Sequence, residues 1–235
     1  MAYRHTRGNV VALLRQFPDS GDVVVPACPQ WTILDVAEHL AGLCDLVLSR
    51  LDKPQPPPDP TRPAGPPRSG PRTEPTGCAT LDELADYWTA AGERFDAWIA
   101  ANGEPPIDRL MMDSFTHELD IRTALGVPVP DEHPSYPNAL DLVTQGLSWS
   151  VSEIGAPALR VEAGGECWVA GEGHPVATVA GHRHDVYRSI VGRRTSGQIA
   201  ELRWTSDPSP WLPAFDWGPF SRPEHPTEDL VETAA

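Results

Sequence analysis

Trp31-Thr-Ile-Leu-Asp-Val-Ala-Glu-His39-Leu-Ala-Gly-Leu43 and Asp113-Ser-Phe-Thr-His117-Glu-Leu-Asp120-Ile-Arg-Thr-Ala-Leu-Gly126 are the stretches that decide the fold of the N-terminal half. In the first, Ile33, Val36, Ala37, Leu40, Ala41 and Leu43 recur at helical spacing and trace an inward stripe with His39 on its border. His117 is placed similarly among Met111, Met112, Phe115, Leu119 and Ile121. Four residues are close to one helical turn, so the side chains of Asp113 and His117 project from one face. Two imidazoles and one carboxylate from facing helices hold a divalent ion by three points and leave a position open for water or substrate, which suggests catalysis. The same spacing also describes a surface ion pair, and a border histidine can be a hydrogen-bonded core residue. With eight histidines in the chain, spacing alone leaves these readings open. The apolar stripe beside each histidine favours the metal.

Outward from these helices, Val10, Val11, Leu13 and Leu14 predict a first helix over 6–17 that stops near Pro18, and Thr32 caps a second over 33–51. Residues 52–77 are crowded with proline and nearly lack large apolar side chains, which excludes helix and central strand. An extended connection is expected there, with a docking site for proline-recognition domains as the functional alternative. Thr80 and Glu83 form a capping-box pattern for a helix ending near Asn102-Gly103. Asp108 is read as the cap of a helix that stops at Gly126, and a further helix is expected over 137–153. Residues 1–153 therefore read as a four-helix bundle with a cross-connection.

After Gly155 the texture changes. Ala158-Leu-Arg-Val-Glu-Ala163 and Cys167-Trp-Val-Ala170 alternate with period two across Gly164-Gly165, a hairpin signal. A strand over 176–179, a helix over 184–191 and a strand over 199–204 follow. Residues 156–222 are read as a small α+β domain, 223–235 as a loose acidic tail, and the whole chain as α+β. The aromatic side chains of 211–220, Phe215 and Phe220 among them, are expected to cover a core.

Thirty-three acidic against 18 basic residues give a formal charge of −15, which repels phosphate backbones and anionic membrane surfaces. No nucleic-acid or membrane partner is expected. No basic segment precedes an apolar run at the N-terminus, and no stretch approaches about 20 apolar residues, so a cytoplasmic protein is expected. Cys28, Cys44, Cys78 and Cys167 are scattered, without a Cys-x-x-Cys pair, and a disulfide framework is not expected. Cys44, five residues beyond His39, is the thiol to follow, although a lone cysteine is more often a small buried apolar residue.

These segments resemble, in order, the mycothiol-dependent maleylpyruvate isomerase family, a branch of the DinB-like metal-binding bundles. Residues 31–42 are similar to its N-terminal signature. Residues 113–126 are similar to a second, in which Glu-x-x-x-His is followed by Asp three residues on. Thr178-Val-Ala-Gly181-His-Arg-His-Asp185-Val-Tyr-Arg-Ser-Ile-Val-Gly192-Arg193-Arg194 is similar to its C-terminal domain, which resembles sterol carrier proteins in fold. The resemblance implies that His39, Asp113 and His117 bind zinc or another divalent metal, with Asp120 behind His117. Asp113 stands where the family usually carries glutamate, a reach shorter by one carbon–carbon bond.

The resemblance further implies a zinc-dependent enzyme that activates mycothiol as a thiol cosubstrate. Its reaction would be cis–trans isomerisation of a maleylpyruvate-like acid (isomerase) or S-transfer to a small electrophile (transferase). An arginine would meet the substrate carboxylate, and Arg193, Arg194 and Arg122 are the candidates. Each can instead be an arginine that offsets an acidic surface. His182-Arg-His184 is weighed as a second metal site against a helix start. Two rival functions remain: a non-catalytic small-molecule or lipid-binding protein with a degenerate metal site, and a thiol-independent metal hydrolase.

Overall fold

Helix α1 (Ala2–Gln16) buries Tyr3, Thr6, Arg7, Val10, Val11, Leu13 and Leu14, a stripe at three- and four-residue spacing. This computed structural model describes residues 2–51, 53, 75–130 and 132–231. They divide into two compact units at 135/136. In the first, α1 packs on α3 (Leu81–Asn102) and α4 (Asp108–Leu125), and α2 (Ile33–Leu51) packs on the same two helices. These four make the bundle.

Local chemistry accounts for the helix ends. The Thr32 hydroxyl accepts from Asp35 N at 3.2 Å, and the Asp35 carboxylate accepts from Thr32 N at 2.8 Å, which closes the start of α2. Thr80 and Glu83 form the expected reciprocal box, and Gly126 ends α4 in the left-handed conformation at φ 63°. Asp108 is a correction: it lies inside the first turn of α4, whose N-cap is Ile107 with no side-chain cap bond. Its charge favours that end through the helix dipole instead. Helix α4 is buried continuously from Ser114 to Arg122, which favours internal partners for its polar side chains, although the Ser114 hydroxyl is buried without a hydrogen bond.

The extended connection expected over 52–77 lies almost wholly outside the described residues. Where description resumes, Thr76 donates its backbone N–H to Glu38 Oε1 and its hydroxyl to Oε2 at 2.8 Å. That tie falls on the residue next to His39.

The second unit begins with α5 (Tyr136–Glu153), which the sequence pattern had grouped with the bundle; in the structure it packs on β2 and α6. The sheet order is β2-β1-β3-β4. Strands β1 (Leu159–Ala163) and β2 (Glu166–Ala170) form the expected hairpin, with Gly164 and Gly165 at φ 59° and 84°, the positive values a two-residue turn requires. Strand β3 (Ala177–Gly181) runs parallel to β1 and leads into α6 (Arg183–Ile190). Gly146 of α5 faces Trp217 so closely that a Cβ there would stand 2.0 Å from the indole ring, whose Nε1 donates to Ile190 O at 2.8 Å. Trp211, Phe215 and Trp217 are buried and Phe220 is half-buried, the covering role expected of them.

The strand expected over 199–204 is corrected. Thr195 and Gln198 form a second capping box that starts helix α7 (Ser196–Glu201), leaving only β4 (Arg203–Trp204) to pair with β3. The loose tail expected over 223–235 is corrected in part: the Glu228 side chain is buried against Arg188 and Arg194, residues 224–226 are exposed, and 232–235 lie outside the described residues. No helix among the described residues is long and apolar enough to cross a membrane.

Candidate metal centre

Because α2 and α4 pack together, the two border histidines meet. His39 Nε2 lies 3.0 Å from Asp113 Oδ2, and His117 Nε2 lies 3.9 Å from Asp113 Oδ1. The imidazoles are 5.6 Å apart between centroids and nearly perpendicular. One ligand atom from each of the three residues falls within 4.8 Å of the others. Donors held at about 2.0–2.2 Å around one tetrahedral ion are separated by roughly 3.3–3.6 Å, so this nitrogen, nitrogen and oxygen set fits a divalent ion with only small adjustments. Despite the shorter reach of aspartate, the Asp113 carboxylate still comes within 3.0 Å of His39 Nε2.

Behind His117, the Asp120 carboxylate is fully buried and its Oδ2 lies 3.0 Å from His117 Nδ1. A carboxylate at Nδ1 favours the proton there and leaves the Nε2 lone pair directed at Asp113, the orientation of a metal-binding histidine. Trp31 walls the centre, its ring centroid 5.1 Å from that of His39 and 5.9 Å from that of His117. Asp113 keeps 34% of its side chain exposed against 9% for His117, so the cluster has an open side at the carboxylate.

Sequence reading passed over Cys28. Its Sγ lies 3.9 Å from Asp120 Oδ2, and Cys28, His117 and Asp120 form a second convergent donor set that shares His117 with the first. The available signal was its place in the loop immediately before Trp31 and the His39 helix. Cys44 faces elsewhere, since five residues turn a helix by about 140° from His39. It is fully buried beside Tyr3, and burial pushes its thiol pKa up.

Arg122 is directed into a different cluster of the same unit. Its Nε donates to Glu118 Oε1 at 2.8 Å and its Nη1 to Pro128 O at 3.0 Å, while Glu118 Oε2 lies 3.0 Å from His133 Nε2. Arg193 and Arg194 belong to the C-terminal unit. Arg193 Nη1 donates to Val191 O at 2.8 Å, and the fully buried Arg194 pairs with Asp185 at 2.7 Å and with Glu228. His182 caps α6 by accepting from His184 N, and His184 Nδ1 lies 2.9 Å from the Tyr136 hydroxyl. Burial, then Arg188, pushes the His184 pKa down to about 3, so the ring is neutral at pH 7. Among the described residues neither histidine joins a convergent group of three metal-ligating side chains.

Fold and site together define a helical-bundle protein with a candidate metal centre between two of its helices, joined to a mixed α+β unit. The chain belongs to the DinB superfamily, whose family model matches residues 2–129, over half of its length. No curated protein matches the chain. No solved structure matches it either.

Proposed function

We propose that this chain is a metal-dependent enzyme in which His39, Asp113 and His117 hold zinc or another divalent ion that activates a low-molecular-weight thiol. By family resemblance the thiol is mycothiol. The reaction is cis–trans isomerisation of a maleylpyruvate-like acid or S-transfer to a small electrophile. The observation that carries this reading is the convergence of the three side chains on one point, with Asp120 buried behind His117.

A divalent ion at this place supplies a lowered thiol pKa, so that thiolate exists at neutral pH. The protein's own part is positional. His39 and His117 bring nitrogen donors from separate helices, Asp113 contributes charge between them, Asp120 holds the proton on the far side of His117, and Trp31 shields one flank from water. In the isomerisation, the thiolate electron pair forms a carbon–sulfur bond to the cis alkene while the π electrons move onto the conjugated carbonyl oxygen. Rotation about the resulting single bond, return of those electrons and expulsion of the thiolate leave the trans acid. In S-transfer the carbon–sulfur bond is kept and the electrophile's leaving group departs with its electron pair.

A guanidinium for the substrate carboxylate belongs to the same reading, and Arg122, Arg193 and Arg194 remain its candidates. Each now holds a partner of its own, so serving a substrate requires exchange of Glu118, the Val191 carbonyl or Glu228 respectively. Cytoplasmic residence is part of the proposal, as is the lack of a nucleic-acid partner, which the charge of −15 supports.

Metal content per chain, measured by elemental mass spectrometry on the native protein and His117→Ala, tests the centre. Near-stoichiometric divalent metal that disappears in the variant is expected, followed by thiol-dependent turnover of cis-unsaturated acids or electrophiles. A native chain that takes up no zinc on incubation overturns the metal reading. Ester or amide turnover without thiol would point to a hydrolase instead.

A further inference from the structure

Residues 224–231 are neither helix nor strand, yet side chains around α6 and α7 hold them down. Gln198 Nε2 donates to Glu228 O at 2.8 Å, Arg194 Nη2 to Asp229 O at 3.2 Å, and Val231 N to Asp185 Oδ2 at 3.1 Å. At the centre, Glu228 Oε1 accepts from Arg188 Nε at 2.5 Å and from Arg194 Nη1. Both arginine side chains are fully buried, and Glu228 is 8% exposed.

Two planar guanidinium forks converging on one carboxylate are how proteins recognise a carboxylic acid. The forks are placed by the fold. Arg188 lies on α6, and Arg194 follows Gly192, whose φ of 70° turns the chain and where a Cβ would press on the Ser221 backbone at 2.8 Å. Asp185 steadies Arg194 from a second direction at 2.7 Å. Arg194 Nε is itself buried with no hydrogen-bond partner.

We propose that Arg188 and Arg194 form a binding site for a small carboxylate, filled here by the chain's own Glu228, with residues 227–231 as a displaceable strap. Each of these contacts involves a side chain, and none is a backbone bond within a helix or strand. A tethered carboxylate competes at an effective concentration of about millimolar or more, so an external acid binds the strapped chain weakly and binds well once Glu228 is gone. Burial pushes the Glu228 pKa up, but Arg188 and Arg194 together outweigh it and hold it down at about 2, which keeps the strap anionic at neutral pH. The inference stands on residues of the C-terminal unit and needs no metal ion, although it shares Arg194 with the candidates for the substrate carboxylate named above.

Calorimetric titration of the full-length native chain and Glu228→Ala with acetate, propionate and succinate, against chloride at matched ionic strength, tests it. The variant is expected to bind a carboxylate at least about tenfold more tightly than the native chain, with no such gain for chloride. Equal affinity in the two chains, or an equal response to chloride, overturns the proposal. Should Glu228→Ala not fold, hydrogen exchange on the native chain decides. Faster exchange at amides 227–231 under saturating succinate, with α6 unchanged, supports a displaceable strap; unchanged exchange in the strap overturns it.

Discussion

Helix α4 carries the same i, i+4 spacing twice, Asp113 with His117 and Glu118 with Arg122, in contrasting surroundings. Glu118 is fully buried and both of its oxygens are engaged: Oε1 accepts from Arg122 Nε at 2.8 Å and Asn9 Nδ2 at 3.0 Å, and Oε2 faces His133 Nε2. Asp113 is one-third exposed and faces two imidazole nitrogens. A guanidinium never gives up its proton in a protein, so the Glu118 cluster is closed to any incoming cation. An imidazole can present a lone pair, so the Asp113 cluster can accept one. Spacing treats the two alike; the chemistry of the partner and the water on one side separate a structural lock from a candidate metal centre.

The contrast breaks most visibly at the lock. Glu118→Ala removes the buried carboxylate that Arg122 and His133 share and is expected to cost roughly 3–5 kcal/mol in urea unfolding. A loss under about 1 kcal/mol, ordinary for a surface site, would mean that the cluster is not the closed element described. A smaller effect is expected at Asp120, which orients rather than binds. Asp120→Asn should weaken zinc affinity by about 10–100-fold in a chelator competition while a one-to-one stoichiometry survives, and unchanged affinity would remove its orienting role. The least change is expected from Cys28→Ser, which should leave zinc content and affinity as they were. Loss of zinc from that variant would move the ion to the Cys28, His117 and Asp120 set.

What could be read in the sequence was local. The Thr80–Glu83 box, the Gly126 stop and the Gly164-Gly165 turn act within a few residues, and the structure has all three as expected. The helical spacing of Asp113 and His117 was legible for the same reason, and His39 was found through its place on an apolar border. The segment near 199–204 holds an equally local signal: Thr195-Ser-Gly-Gln198 is a helix start, and the apolar residues after it suit a strand as well as a helix. Contacts between distant residues left no such mark. Cys28 reaches Asp120 across 92 positions, and Glu228 reaches Arg188 across 40. Nothing in an acidic terminal segment distinguishes a carboxylate in water from one enclosed by two arginines, because that outcome depends on where α6 and the turn after it place Arg188 and Arg194. The assignment of α5 depended likewise on which surface it covers, since its amphipathic pattern suits a bundle or a sheet equally.

The seating of Trp217 against Gly146 sets an order on the changes that descendants of this chain can accept. A side chain cannot grow at 146 while the indole occupies that space, since even one carbon would overlap the ring. The ring can shrink first, leaving a void that costs stability but is survivable, and only then can position 146 fill. One path between the two states is therefore passable and the reverse order is closed, so the pair works as a ratchet on sequence drift within this unit.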